Sequence, residues 1–82
     1  MDFSKLQWAC RRGMLELDIL LGRYLQAGYL KASPEEQQAF QALLGCEDQS
    51  LYHWLCARQV APSEHQMILA KILQVNQAGM MG

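Results

Sequence analysis

The sequence predicts an all-α fold, a compact five-helix bundle in a single small domain. Three observations lead there. No stretch alternates β-branched with polar residues in the period of a strand, and valine occurs only at Val60 and Val75. Apolar residues recur three and four positions apart in five separate segments. The connections between those segments are short, about three to six residues, the length that helical bundles use. There is no internal repeat and no long linker.

The first segment spans about Ser4 to Arg11, with Leu6, Trp8 and Ala9 as its apolar candidates. The second spans about Met14 to Ala27. Leu17, Leu20, Leu21 and Tyr24 make its buried stripe, and Gly28 suits its C-terminal cap. Gly22, inside it, is expected at a close helix contact. The third has the clearest start in the chain. Ser33-Pro34-Glu35-Glu36 places a capping serine, a proline at the first helical position and a glutamate at the third, which is a capping box with φ set in advance. Ala39, Phe40, Leu43 and Leu44 face inward, and Gly45 ends the helix. Asp48 is the expected cap of the fourth helix, which carries Leu51, Trp54 and Leu55 inward. Pro62-Ser63 opens the fifth, with Gln66 completing a second capping-box pattern and Ile68, Leu69, Ile72 and Leu73 as its stripe. The domain is expected to take in residues 1–82, with about 77–82 as a frayed tail, because Gly79 and Gly82 flank only two methionines. One core is predicted from Leu17, Leu21, Phe40, Leu43, Leu51, Leu55, Leu69 and Ile72.

Composition bounds the function. A chain of 82 residues buries only about 60% of its unfolded surface, so its core is small. Hydrophobic residues make up 51% of it, enough to exclude a disordered tail. A net charge of −1 and a pI near 6.0 argue against nonspecific nucleic-acid binding, which needs a basic stripe. No apolar run reaches the length of a membrane span. Asp2 and a single Lys5 before Trp8 fit neither a secretory signal nor an arginine-rich transit peptide, so the expected location is a bacterial cytoplasm. Cys10, Cys46 and Cys56 are an odd number without a Cys-x-x-Cys motif. They read as free thiols packed as small hydrophobes.

Charge is concentrated in one stretch, Trp8-Ala-Cys-Arg-Arg-Gly-Met-Leu-Glu-Leu-Asp18, of a chain only 18% charged. Glu16 falls near the start of the second helix, where the dipole favours a carboxylate. If the helix extended back through Arg12, Arg12 and Glu16 would form an i,i+4 pair worth a few tenths of a kcal/mol at most, about 0.3. That is too little to account for the cluster as a stability device. Gly13 costs roughly 0.5–1 kcal/mol against alanine inside a helix, so it marks a break or a close approach by another backbone. Arg11, Arg12, Glu16 and Asp18 form a patch of mixed sign, which suits a specific protein surface better than a phosphate backbone. The alternative is that these charges only solvate the face and cap the second helix.

The pattern Trp8-x-x-Arg11-Arg12-Gly13-x-x-Glu16-x-Asp18 resembles the signature of the SdhE-like family of succinate dehydrogenase assembly factors, whose core is Arg-Gly-x-x-Glu. The resemblance continues through Phe40-x-x-Leu43-Leu44 and Asp48-x-x-Leu51-x-x-Trp54-Leu55 and covers nearly the whole chain. It implies a compact five-helix domain that helps attach FAD covalently to the flavoprotein subunit of succinate dehydrogenase, and of fumarate reductase in some bacteria. In that family the bond joins a histidine of the subunit to the 8α-methyl carbon of the flavin. The chemistry would belong to the cofactor and its own enzyme, and this domain would supply orientation. The implied partner-binding residues are Trp8, Arg11, Arg12, Gly13, Glu16 and Asp18, acting from a monomer that binds no cofactor stably and does not insert in a membrane. Gly13 would let two backbones approach, Arg12 and Glu16 would fix the register, and Trp8 would pack beneath the patch or anchor the interface. The family has also been described as an antitoxin-like partner of a small membrane protein, a second binding role.

Other function classes find less support. His53 and His65 fall on different helices without zinc spacing and read as surface or capping residues. No serine or cysteine has a base at a known spacing, and no glycine-rich nucleotide cradle is present, so an enzyme is not expected. A small helical DNA-binding domain would use the fourth helix, where only Arg58 could reach phosphate or guanine.

Overall fold

The structure, a computed structural model, describes residues 2–81, with side chains described through residue 77. Among these residues there are five α-helices and no strand: α1 (Phe3–Ala9), α2 (Leu15–Ala27), α3 (Pro34–Leu44), α4 (Asp48–Leu55) and α5 (Ser63–Met81), with a 3-10 turn at Tyr29–Lys31 in the connection after α2. The expectation of fraying over 77–82 falls largely outside the described side chains.

α2 is the central element. It packs most extensively on α5 and also touches α1 and α4, while α3 closes against α5. The reason lies in its sequence: Leu17, Leu21, Tyr24 and Leu25 are all buried on one side. The eight residues of the predicted core are all buried, and Leu6, Cys10, Tyr29, Leu44 and Ile68 join them, whereas Leu20, Ala39, Trp54 and Leu73, also expected to face inward, are only half-buried against it. Tyr24 and Phe40 stack in a tilted arrangement with centroids 4.7 Å apart, and Tyr29 meets Phe40 at 5.7 Å. Such tilted pairs suit the ring quadrupoles.

The helix ends show where local chemistry was sufficient. Ser33 Oγ accepts from the Glu36 amide at 3.2 Å, and Pro34 occupies the first turn of α3. The reciprocal half of the box is absent, because Glu36 turns to accept a hydrogen bond from the buried Tyr24 hydroxyl and so ties α3 to α2. Two other expected caps are corrected. Asp48 is not the cap of α4: Glu47 holds that position without a side-chain bond, and Asp48 serves an arginine instead. Gln66 does not complete a capping box, because its amide donates to the Ala61 carbonyl at 2.8 Å. α1 ends at Ala9, earlier than expected, and is capped by Asp2, which accepts from the Lys5 amide at 2.9 Å.

The glycines separate cleanly. Gly28 ends α2 at φ −119, so it needs no left-handed conformation. A Cβ there would come within 2.9 Å of the Tyr24 ring and 3.3 Å of Val75, so it is close packing that demands glycine. Gly22 was expected at a helix contact, but a Cβ at Gly22 would meet nothing within 4 Å. Gly13 has φ +81 and breaks the chain between α1 and α2.

Candidate docking surface

The corner between α1 and α2 brings the charged stretch together, and it has two sides. On the inner side lies Arg12, whose side chain is only 14% exposed. Its Nε donates to the Ala9 carbonyl at 2.8 Å. One terminal nitrogen donates to the Cys46 carbonyl and to Asp48 Oδ1, both at 3.1 Å, and the other donates to the Leu44 carbonyl. Four of the five N–H donors of the guanidinium are thereby engaged. The carbonyls of Ala9 and Leu44 are among those left without intrahelical partners where α1 and α3 end, and a cation is well placed there. Asp18 does the converse at the start of α2. Its Oδ1 accepts from the Arg12 amide at 2.7 Å and its Oδ2 from the Gly13 amide at 3.2 Å. The Arg12–Glu16 pair considered from the sequence does not form, because the helix begins at Leu15 and Arg12 turns inward to Asp48.

On the outer side stand Trp8, Arg11, Gly13, Leu15 and Glu16, all exposed. Trp8 is 73% exposed, so it does not pack beneath the patch, and the buried place in that turn goes to Cys10. The Arg11 guanidinium lies 5.4 Å from the Trp8 ring centroid, a cation–π contact that pairs the two exposed side chains. Leu15 is 78% exposed and Ile19 42%, an aliphatic pair one turn apart. They were not singled out from the sequence. The signal was present, because both fall on the face of α2 opposite Leu17, Leu21 and Tyr24. Alongside them runs an open cleft of about 530 Å³, bounded by Trp8 and Arg11 at one end and by Ile19, Gly22 and Gln26 along α2.

Two further features complete this side. Glu16 lies beside Cys56 at the end of α4. Burial pushes the Cys56 thiol up, Glu16 adds to the shift, and Arg58 opposes it. Arg58 itself is exposed and has φ 58, a left-handed conformation uncommon for a residue with a side chain.

The histidines part company. His53 is exposed as expected, but His65 is half-buried against Trp54, with ring centroids 5.5 Å apart. Its Nε2 lies 3.5 Å from Cys46 Sγ, a contact across 19 positions that no local spacing could show. The surroundings of this pair do not favour the thiolate. Burial pushes the Cys46 thiol up, Glu64 adds to it and Arg12 opposes it, whereas a nucleophilic cysteine needs a lowered pKa. All three cysteines are free. Among the described residues no group of three or more His, Cys, Asp or Glu could hold a metal ion, and no helix is long and apolar enough to cross a membrane.

This chain matches, over residues 4–76, the family described as flavinator of succinate dehydrogenase. It is 42% identical over 62 residues to the FAD assembly factor SdhE of Shewanella oneidensis, a match covering 76% of each chain. It is 43% identical over 75 residues to the protein of the same name from Coxiella burnetii, covering 89% of this chain and 90% of that one. With the protein of that name from Pseudomonas aeruginosa it shares 44% of 57 residues, covering 70% of this chain and 68% of the other. No solved structure gives a significant match. Matched along nearly its whole length, from α1 into α5, the chain belongs to the succinate dehydrogenase flavinator family.

Proposed function

We propose that this domain binds, as a monomer, the flavoprotein subunit of succinate dehydrogenase and promotes the covalent attachment of FAD to it. Membership of the flavinator family carries the reading. The geometry supports it in one particular way. The exposed side of the α1–α2 corner presents an aromatic anchor, Trp8, with a cation laid on it, followed by a glycine turn and an exposed carboxylate at Glu16. Aromatic residues and arginines of this kind dominate the energetics of protein interfaces. Arg12 and Asp18 contribute indirectly, by fixing the corner on which these groups stand. Bound there, the domain selects the arrangement of the subunit in which its histidine and the flavin are aligned, so that a slow encounter becomes a pre-oriented one. FAD remains with the subunit throughout. The flavoprotein subunit of fumarate reductase is a second client for the same surface.

The experiment is to co-express the flavoprotein subunit with Trp8→Ala or Glu16→Ala, denature the subunit, and read the flavin fluorescence retained on its band. Both variants should keep the helical signal of the parent and leave less covalent flavin on the subunit. Undiminished flavin with both, each shown to be folded, would move the working surface elsewhere on the domain.

A further inference from the structure

Gly22 sits in the middle of α2 with no reason inside the fold for being glycine. Its φ is not positive, and a Cβ would meet no atom within 4 Å. Gly28, one helix face away, shows what an internal reason looks like: there a Cβ would collide with Tyr24. Glycine is the poorest helix former after proline, so Gly22 weakens the helix on which the whole core is built. With no Cβ, Gly22 leaves the exposed face of α2 open to close approach by another backbone.

The surroundings say what that contact is made with. Gly22 is the shared floor of two adjoining open clefts, of about 530 and 620 Å³. The first ends at Trp8 and Arg11, the second at Arg23 and Val75, and Ile19 lines both. Together they form a groove running along the exposed face of α2. Its charges are unbalanced. Arg11 and Arg23 are exposed, while the one carboxylate, Asp18, already accepts from two backbone amides. The groove is also continuous with the Trp8–Arg11 end of the surface proposed above.

We infer that the Gly22 groove receives an apolar helix of the flavoprotein subunit that carries a carboxylate facing Arg11 or Arg23. The assignment rests on the proposed function. Missing side-chain bulk at one position lets two helices approach closely, and the aliphatic and aromatic walls bury the apolar ridge of the incoming one.

The test measures the affinity of the purified chain for the apo flavoprotein subunit, with Gly22→Ala, Gly22→Leu and the double variant Arg11→Glu/Arg23→Glu. Both glycine variants should melt at or above the parent temperature, since each improves the helix and an added Cβ meets no neighbour within 4 Å. Gly22→Leu should weaken binding at least tenfold and Gly22→Ala by less. The double charge reversal should weaken binding at low salt, with the loss shrinking as salt is added. Parent-like binding by Gly22→Leu while Glu16→Ala still weakens it would remove the groove and leave the proposed function standing. No binding by the parent chain would remove both. Parent-like binding by the double reversal would take the carboxylate out of the occupant. Loss of self-association in Gly22→Leu by sedimentation, with subunit binding unchanged, would identify a second copy of this chain as the occupant and overturn the assignment.

Discussion

Arg11 and Arg12 are adjacent and chemically identical, yet they belong to different parts of the molecule. Arg11 lies in solvent across the Trp8 ring. Arg12 is turned inward and ties the end of α1 to the end of α3 and the start of α4. The same division runs through the carboxylates: Asp18 is committed to the backbone of the corner, whereas Glu16 stays exposed. What separates the pairs is the supply of unsatisfied backbone groups. Helices that end close together leave carbonyls in a small volume, and the nearest cation is drawn to them. A patch that reads as one surface feature is thus half clamp and half display.

Substitutions can break this division, beginning where the effect should be largest. Arg12→Ala should cost about 3 kcal/mol of stability, comparable to deleting a core side chain as in Leu43→Ala, because a mostly buried guanidinium leaves several carbonyls and Asp48 without a partner. Denaturant unfolding measures this. A loss below about 0.5 kcal/mol, the range of an ordinary surface change, would return Arg12 to the exposed side. Arg12→Lys should recover only part of the loss, because an ammonium cannot reproduce the fork.

The inner side should also show in the pH dependence of stability. Burial pushes the Cys10 thiol up to about 11 from its ordinary 9.0, with Arg12 opposing and Asp18 adding to the shift. The unfolded chain therefore releases this proton first. Stability held below pH 9 should fall as pH rises toward 11, where the folded thiol ionises too. Cys10→Ala should flatten that decline. Cys46 and Cys56, also raised, should keep a residual slope of the same sign.

Gly13→Ala should cost about 1–2 kcal/mol, from placing a side chain at φ +81 and not from any clash, since nothing lies within 4 Å. Gly13→Asn, which tolerates this region, should cost less. The smallest effects belong to the outer side. Trp8→Ala and Glu16→Ala should each change stability by no more than about 0.5 kcal/mol. A cost near 2 kcal/mol for either would show that the display side also holds the fold together.

The helices were largely legible in the sequence because their causes are local. The Ser33-Pro34 start, the Gly45 end and the three-and-four spacing of leucines need only neighbouring residues. The errors came where a side chain had a distant alternative. Asp48 left its expected cap for Arg12, a partner 36 positions away. Glu36 left the capping box for the Tyr24 hydroxyl. Asn76, not singled out, is buried with its amide donating to the Leu20 carbonyl across the α2–α5 packing. Asp48 and Glu36 thus gave up a local bond for a distant partner, whereas Asn76 keeps a local bond to the Ile72 carbonyl at 2.8 Å and adds the one to Leu20 at 3.0 Å.

The sequence by itself determined that this chain is all-helical, where its core residues lie, and which stretch carries the family signature. Periodicity, capping chemistry and motif spacing are written within a few turns of chain. Only the tertiary structure decided which members of that stretch face outward. That choice depends on where α3 and α4 bring their unsatisfied carbonyls and Asp48, more than 30 residues further along. It also decided that Trp8 is displayed while Cys10 is buried, since Trp8 stands in the last turn of α1 and Cys10 caps it, and only the packing of α1 on α2 selects the inward side.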